Sequence, residues 1–442
     1  MSVVNNKQYR PTLLEDICRW GYSFLLVLAI PFAFVTLMRR GQTRNKDYNR
    51  RRFERFGFVS HPRKKEGYLF HCVSVGEVVA ASCIIKRIMQ DEPDIQITVT
   101  TTTPTGSARV QDIFGDSVHH FYLPYDLHMA MAGMIKRIRP KAVFITEVEL
   151  WPNLIHACWK RNIPTMVVNA RMTDRSARRY KKIGKLFNPM LNKLSHVCAQ
   201  GKRDYDNYLF LGMPQTRLTL TNNIKFDQVA SLTNIPNNFC GIEKGSCPVL
   251  VAGSTHELEE QMMIDTCLKL WPKHADLILV IVPRHPERFE HVAKLIETNK
   301  LDFIRTSQSN PFINHGTNRG AKGKVILLDE MGKLNLAYSI ATIAFVGGSI
   351  ADRGGHNALE PAAFSVPILM GPNTYNNPVI CAYLKERGAL YTFDNAEAFA
   401  AQCELWLSKE TEQRAAGGAG RQVLDENKGA LDATLACIRS VM

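Results

Sequence analysis

Short apolar runs alternate with amphipathic stretches along most of this chain, and that alternation restricts the possible folds more than any other feature. Beyond residue 66, amphipathic stretches such as 78–90 and 129–137 separate the apolar runs. Runs with the length of buried strands lie at residues 68–73, 95–102, 119–123, 142–146, 165–169 and 196–199. This order predicts a parallel sheet covered by helices on both faces.

The same alternation restarts after a break. Residues 229–247 carry Asn, Pro and Gly without a period, which is typical of a linker. The runs CPVLVAGS, LILVIVPR, KVILLD, ATIAFVGGS and VPILMG then follow as strands, with helices such as 257–270 between them. The sequence therefore predicts an α/β protein with two Rossmann-like, doubly wound domains facing a cleft, the GT-B arrangement. Ligands of such sheets bind beyond the carboxyl ends of the strands.

An uncharged run of 19 residues, positions 20–38, precedes both predicted domains and just spans a bilayer core if it is helical. Eleven Lys and Arg residues follow between positions 39 and 65, against two acids. A cleaved signal peptide would carry its basic residues before the run instead. We therefore predict a membrane anchor at residues 1–40, with domains at 41–230 and 231–442 on the cytoplasmic side. Pro31 leaves open a helix that lies in the membrane interface.

The net charge and the cysteines limit the classes of binding partner and of structural site that this chain can have. A net charge of +14 is compatible with nucleic acid, an anionic membrane or a phosphorylated substrate. Because the basic stretch borders the apolar run, we expect anionic lipids and no nucleic acid. The 11 cysteines are scattered and form no CxxC pair, so we predict neither a disulfide framework nor a structural metal site.

Acidic side chains follow two strands of the first predicted domain. Glu77 lies in the first turn of a helix, where it is either a common helix-dipole carboxylate or a base placed to accept a proton. Glu147 and Glu149 follow another strand, and two residues spaced i, i+2 do not share a helix face. We place the second functional acid at Glu147, which is nearer the strand end, and Glu149 stays open.

Basic side chains follow the next strand, within residues 171–185. A solvated helix face is the ordinary explanation of such a run. Its guanidinium groups are also suited to the phosphates of an anionic lipid. On that second interpretation, the predicted phosphate contacts are Arg171, Arg175, Arg178 and, from the earlier basic stretch, Arg55.

Three turns of the second domain offer groups that suit a phosphate, each at a strand end. Asn357 and Glu360 also fit a capping box, which is a purely structural role. No Asp-x-Asp pair is present, and Arg, Ser and backbone donors could stabilise a monophosphate leaving group without metal. The predicted nucleotide-binding residues are Ser254, Arg284, His285, Gly347, Gly348, Ser349, Asn357 and Glu360.

Taken in order, the motifs resemble those of the bacterial 3-deoxy-D-manno-octulosonic acid (Kdo) transferases, which build the lipopolysaccharide core at the inner membrane. The resemblance covers the chain from the apolar run to the last helix. It is carried by SVGE (74–77), TTTTPTG (100–106), YLPYD (122–126), TEVELWPNL (146–154), NARMTDRS (169–176), GSTHE (253–257), PRHPERF (283–289) and GGSI with GGHNALEP (347–361).

This resemblance implies an inverting, metal-independent transfer of Kdo from CMP-Kdo to a lipid A precursor (lipid IVA), with no cofactor. It implies that Glu77 is the catalytic base and Glu147 a second essential acid. Arg284, His285 and their neighbours would surround the CMP phosphate, and Glu360 would bind the ribose. A soluble UDP-sugar epimerase, a peptidoglycan-precursor transferase and a non-catalytic membrane or nucleic-acid adaptor are the alternatives.

Overall fold

The computed structural model describes residues 9–43, 51–230, 236–308 and 325–442, which fold into two α/β units. Unit 1 comprises the chain up to Asp227 together with Gly429–Met442, and unit 2 comprises Gln228–Lys428. Both contain a seven-stranded parallel sheet among the described residues, as the alternating pattern predicts.

Unit 1 is built on a sheet with the order β3-β2-β1-β4-β5-β6-β7. Its strands are β1 Tyr68–His71, β2 Ile97–Thr101, β3 His119–Tyr122, β4 Ala142–Thr146, β5 Thr165–Ala170, β6 His196–Ala199 and β7 Leu218–Leu220. All six predicted strands are confirmed. Strand β7, an edge strand of three residues that is only partly buried, was not predicted.

Helices cover both faces of this sheet, and each face has its own apolar core cluster. The helices of unit 1 are α1 Leu13–Thr43, α2 Val75–Asp91, α3 Pro104–Phe114, α4 His128–Ile138, α5 Pro152–Lys160, α6 Asp174–Lys182, α7 Gly184–Lys193, α8 Lys202–Phe210, α9 Lys225–Ala230 (which extends past Asp227) and, at the end of the chain, α17 Ala430–Val441. Five of the strands are buried throughout their length, as is typical of continuous apolar runs: β1, β2, β4, β5 and β6.

Unit 2 has the sheet order β12-β13-β11-β10-β14-β15-β16, preceded by a two-stranded hairpin. Its strands are β8 Asn238–Phe239, β9 Ile242–Glu243, β10 Val249–Thr255, β11 Ile278–Pro283, β12 Phe303–Arg305, β13 Val325–Leu327, β14 Ile343–Val346, β15 Ile368–Met370 and β16 Leu390–Thr392. Its helices are α10 Glu259–Leu270, α11 Phe289–Thr298, α12 Leu334–Ile340, α13 Leu359–Ala363, α14 Pro378–Glu386, α15 Ala396–Ser408 and α16 Glu410–Asn427. The predicted linker at 229–247 contains the β8–β9 hairpin. Phe239 and Ile242 of this hairpin bury their side chains in the core of unit 2, so this part of the segment belongs to the second unit.

The last helix corrects the predicted domain boundary. Residues 429–442 were assigned to the second domain, but α17 packs on unit 1, where Leu435 and Ile438 join an apolar core cluster. The carboxylate of Asp227 accepts the backbone N–H groups of Gly429 and Leu431, both at 2.6 Å. The chain therefore returns to its first unit after completing the second.

Helix α1 is longer than the predicted run of residues 20–38, and its first half is attached to unit 1. Arg19 and Ser23 are buried, and both bond the amide side chain of Asn153, at 3.1 and 2.9 Å. Among the described residues, α1 is the one helix long and apolar enough to cross a membrane. Several basic residues predicted to follow it, including Arg44 and Lys46, lie outside the described residues. Its exposed apolar side chains are Leu13, Leu14, Ile17, Trp20, Phe24, Leu25, Val27, Leu28, Phe32 and Val35.

Replacing Asn153 by alanine is expected to destabilise the protein by about 1–3 kcal/mol, because the buried guanidinium of Arg19 and hydroxyl of Ser23 lose a partner. The amide of Asn153 also donates to the backbone oxygen of Asp126 at 2.6 Å. Thermal unfolding of the detergent-solubilised protein measures the effect. Asn188→Ala, an exposed position on α7, is the control, and equal melting temperatures for the two variants would contradict the assignment.

Candidate functional site

The acids predicted from the sequence meet at one edge of the unit 1 sheet. Glu77 lies in the first turn of α2, directly after β1, and Glu147 directly follows β4. Strands β1 and β4 are hydrogen-bonded neighbours, so their carboxyl ends lie side by side. The same edge of a parallel sheet is where α/β proteins bind ligands.

Glu77 has the structural role at the start of α2 that its position suggests, and its role as a base stays a prediction. Its side chain is 7% exposed, and its carboxylate accepts the N–H of Val73 at 2.8 Å and the hydroxyl of Ser74 at 2.9 Å. Because Ser74 is also the N-cap of α2, this pair is a variant of the capping box. Burial, and then repulsion from Glu147 and Glu149, raises the pKa of Glu77 to about 7, against the opposing bond from Val73. A carboxyl with that pKa is suited to accept a proton near neutral pH.

Glu147 and Glu149 supply the negative charge that surrounds Glu77. Glu147 has a left-handed backbone conformation (φ 61°), which is uncommon for a residue with a side chain. Its N–H donates to Val168 at 3.1 Å, and its carbonyl accepts the N–H of Arg171 at 3.3 Å. Burial and then Glu147 raise the pKa of Glu149. Of these two acids, Glu147 repels Glu77 more strongly, and which of them is the second functional acid stays a prediction.

Lys225 is a member of this edge that the sequence analysis missed. It begins α9, and its ammonium group interacts electrostatically with Glu147 and Glu77, and is repelled by Arg171. Burial lowers its pKa, although the two carboxylates oppose that shift. No apolar run marks the turn that carries Lys225, so its sequence surroundings gave no signal of a strand end.

The predicted basic residues fall into two groups. Arg175 and Arg178 are exposed on α6, and Arg171 is partly exposed at the end of β5, so all three face solvent to some degree. Arg55 differs from them, because it is only 6% exposed. Its guanidinium donates to the carbonyl oxygen of Thr102 at 2.9 Å and lies over the ring of Tyr122 at 4.4 Å. This guanidinium therefore holds neighbouring segments of unit 1 together, and a phosphate contact of Arg55 stays a prediction.

In unit 2, the turns predicted to hold a phosphate also lie at one sheet edge. Ser254, at the irregular end of β10, has φ 55°, and the N–H of Arg284 donates to the carbonyl oxygen of Thr255 at 3.0 Å. Gly347 follows β14, where a Cβ atom would lie 2.3 Å from the carbonyl oxygen of Ser254. Position 347 therefore requires glycine, because a larger residue would push the neighbouring turns apart. Arg284 and His285 are exposed beside them.

Glu259, which the sequence analysis did not single out, holds the glycine-rich turn in place. Its side chain is 0% exposed, and one carboxylate oxygen accepts the N–H groups of His256 and Gly348, both at 2.9 Å. The other oxygen accepts the N–H groups of Ile350 at 3.0 Å and Ala351 at 3.2 Å. Four backbone donors thus converge on one buried carboxylate, which fixes the shape of the turn.

These bonds change what the glycine-rich turn can offer a ligand. The N–H of Gly347 donates to Gly253 at 2.8 Å, and that of Gly348 donates to Glu259. The hydroxyl of Ser349 donates to Val346 at 2.7 Å and accepts the N–H of Gly371 at 2.9 Å. The protein itself therefore uses the N–H groups of Gly347 and Gly348 and the hydroxyl of Ser349.

Three histidines gather beside Arg284. The Nε2 atoms of His256 and His356 lie 2.9 Å apart, and the ring centroids of His256 and His285 are 5.4 Å apart. Burial, and then nearby cations that include Arg284, lower the pKa of His256 and His356 to about 4. Both rings are therefore neutral at pH 7, in a region of positive potential. Such a region favours an anionic ligand.

Asn357 and Glu360 contact each other at the start of α13 but do not form the predicted capping box, because the helix begins at Leu359 with Ala358 as its N-cap. The amide of Asn357 donates to Glu360 at 3.3 Å and its oxygen accepts the N–H of Leu359 at 3.2 Å, at the start of α13. Burial raises the pKa of Glu360, and the charge of Arg284 partly opposes this. The carboxyl of Glu360 therefore lies within the electrostatic reach of the same cation as the histidines.

Known proteins resemble both units. Residues 50–228 match the family profile described as 3-deoxy-D-manno-octulosonic-acid transferase (kdotransferase), and residues 251–423 match glycosyl transferases group 1. A curated 3-deoxy-D-manno-octulosonic acid transferase from Haemophilus influenzae is 40% identical over 94% of this chain and 97% of its own length.

Solved structures support the fold class. The UDP-GlcNAc 2-epimerase of Neisseria meningitidis aligns with 86% of this chain and 99% of its own, with a TM-score of 0.55 and 12% identity. MurG of Acinetobacter baumannii aligns with 85% of this chain and 100% of its own, with a TM-score of 0.52 and 10% identity. At these identities the similarity extends to the two-domain GT-B fold alone.

Proposed function

Since this chain belongs to the family of 3-deoxy-D-manno-octulosonic acid (Kdo) transferases, we propose that it moves Kdo from CMP-Kdo to a hydroxyl of the lipid A precursor lipid IVA. The observation that carries this proposal is Glu77, a buried carboxyl with a pKa of about 7 at the ligand-binding edge of the unit 1 sheet. Unit 1 would bind the acceptor and unit 2 the donor.

The proposed chemistry is a single displacement that inverts the ketosidic carbon. Glu77 accepts the proton of the acceptor hydroxyl while the hydroxyl oxygen bonds to the Kdo carbon. The bond from that carbon to the phosphate oxygen breaks, and CMP leaves with the electron pair. Glu147 raises the basicity of Glu77 through repulsion, which keeps the base ready near neutral pH.

The leaving phosphate would meet the positive region around Arg284. Arg284 can donate hydrogen bonds to the phosphate oxygens as their charge grows, and so can the one free N–H of the neutral His256–His356 pair, in which one Nε2 donates to the other. Glu360 is assigned to the ribose hydroxyls. Because these protein groups can stabilise a monophosphate leaving group by direct hydrogen bonds, we propose that the transfer needs no metal.

The exposed apolar and basic side chains of unit 1 are assigned to the membrane and the acceptor. The exposed apolar side chains of α1 suit a lipid environment, and Arg39 and Arg40 follow them in the sequence. Arg171, Arg175 and Arg178 are proposed to contact the acceptor phosphates. By the positive-inside rule, both units would lie on the cytoplasmic face of the inner membrane, next to anionic lipids.

Competition between nucleotides tests the donor assignment. We expect the full-length protein in detergent to bind CMP more tightly than UDP, in an isothermal titration without metal. Arg284→Ala should weaken CMP binding by about tenfold or more, because it removes a charge-assisted contact. Lys269→Ala, an exposed position on α10, should leave it unchanged. Preference for UDP would instead favour the activities of the epimerase or of the peptidoglycan-precursor transferase.

A further inference from the structure

Three side chains with metal-binding donor atoms meet beneath the last helix of unit 1. They are His196 and Cys198 on β6 and Cys437 on α17, and their ligand atoms all lie within 4.8 Å of one another. His196 and Cys198 are buried, and Cys437 is partly buried. None of the three belongs to the acidic edge described above.

The fold explains why residues so distant in sequence come together. In a strand, residues spaced i, i+2 point to the same face of the sheet, so His196 and Cys198 share one face. Helix α17 covers that face, because Leu435 and Ile438 pack in the same core cluster as Cys198. Cys437 lies on the same helix.

The hydroxyl of Thr219 lies beside these three side chains. Thr219 pairs with Cys198 across β6 and β7, and its hydroxyl lies 2.9 Å from Nε2 of His196. The Sγ atom of Cys437 lies within 4.8 Å of the ligand atoms of His196 and Cys198. Two thiols, an imidazole and a hydroxyl therefore converge on one point inside an otherwise apolar core.

We propose that His196, Cys198 and Cys437 bind a single Zn²⁺ ion, with the hydroxyl of Thr219 or a water molecule as the fourth ligand. This proposal replaces the expectation, based on the absence of a CxxC pair, that the chain has no structural metal site. Thiolate and imidazole are the ligands that tetrahedral zinc prefers, with Zn–S distances of about 2.3 Å. Such distances place two sulfur ligands about 3.8 Å apart, within the observed limit of 4.8 Å. Two thiols release their protons on binding, and the resulting thiolates neutralise the charge of the ion.

The ion would attach the end of the chain to its first unit. Helix α17 returns from unit 2, and two bonds to Asp227 anchor its first turn. Cys437 lies near the other end of this helix, so zinc would fix the second end. The role is structural and goes beyond Kdo transfer, in which the ion takes no part.

Metal analysis of the full-length protein tests this site. Protein expressed in zinc-supplemented medium and purified without chelator should hold about one zinc per chain after gel filtration. Cys437→Ser and Cys198→Ser should reduce that value to below about 0.2. Cys83→Ser, a partly buried cysteine on α2 outside the cluster, should retain the zinc.

Cobalt gives a second measurement that does not depend on variants. Adding Co²⁺ to the metal-depleted wild-type protein should produce the strong near-ultraviolet absorption of thiolate-to-cobalt charge transfer, and Zn²⁺ should displace it. A wild-type protein without zinc and without this band would overturn the proposal. A disulfide between Cys198 and Cys437 in mass spectra of the freshly purified protein would overturn it as well.

Discussion

Replacing Glu77 by glutamine is expected to lower the rate of Kdo transfer by about 10²- to 10⁴-fold, because the variant lacks the group that accepts the acceptor's proton. Glutamine is nearly isosteric, and its amide oxygen can still accept the N–H of Val73. The charged form of Glu77 is disfavoured by burial, so the neutral amide should not lower the melting temperature. CMP binding, assigned to unit 2, should also be unchanged.

The pH dependence of the wild-type enzyme gives this prediction a second readout. The base acts only when it is deprotonated, and the pKa of Glu77 is about 7. The value of kcat/KM should therefore rise by about tenfold per pH unit below pH 7 and level off above it. Glu147→Gln removes the strongest repulsion on Glu77, so it should move this transition to lower pH.

Glu66→Gln is the matched control for Glu77→Gln. Glu66 lies near the opposite end of β1, and its carboxylate forms an exposed ion pair with Arg139 at 2.9 Å. Its loss should change neither the rate nor its pH dependence, since exposed ion pairs contribute about 1 kcal/mol or less. Transfer by Glu77→Gln within about tenfold of the wild-type rate would exclude Glu77 as the base.

Replacing Glu259 by alanine is expected to destabilise unit 2 by about 3–5 kcal/mol and to weaken CMP binding by about tenfold or more. Four backbone N–H groups lose their acceptor, and an unsatisfied buried donor costs about 1–3 kcal/mol, although the turn can relax to recover part of this. The turn that Glu259 holds carries Gly347 and Gly348 beside Ser254. Urea unfolding and CMP titration measure the two effects.

Glu257→Ala is the control, since Glu257 is exposed two residues earlier in the same turn. The stability and the CMP affinity of Glu259→Gln should fall between those of Glu259→Ala and Glu257→Ala. An amide keeps one acceptor oxygen but turns a donor toward the remaining N–H groups. If Glu259→Ala binds CMP and unfolds like the wild type, the turn does not depend on this carboxylate.

The central strands and the residues at their ends could be predicted from the sequence for one physical reason. Strands buried on both faces are continuous apolar runs, and the residue after each run lies at the ligand-binding edge. Glu77, Glu147 and Arg284 were identified in this way. The edge strands β7, β12 and β16 were missed because each has three residues and is only partly buried, so no apolar run marks them.

Contacts between distant residues could not be predicted in this way. Glu259 has the sequence surroundings of an ordinary acid in the first turn of a helix, and its partners Gly348 and Ile350 lie about 90 residues away. The contact between His256 and His356 spans 100 residues. The sequence of α17 carries no information about which sheet the helix covers, so the second domain was predicted to extend to residue 442.

The transfer reaction itself tests the central claim most directly. Purified full-length protein would be incubated with lipid IVA and CMP-Kdo generated in place, with EDTA present and no added metal, and the lipid product would be weighed by mass spectrometry. We expect a product heavier by a whole number of Kdo units, formed at least about 100-fold more slowly by Glu77→Gln. Product only after magnesium is added would contradict metal independence. No product under either condition would contradict the proposed transfer of Kdo to lipid IVA.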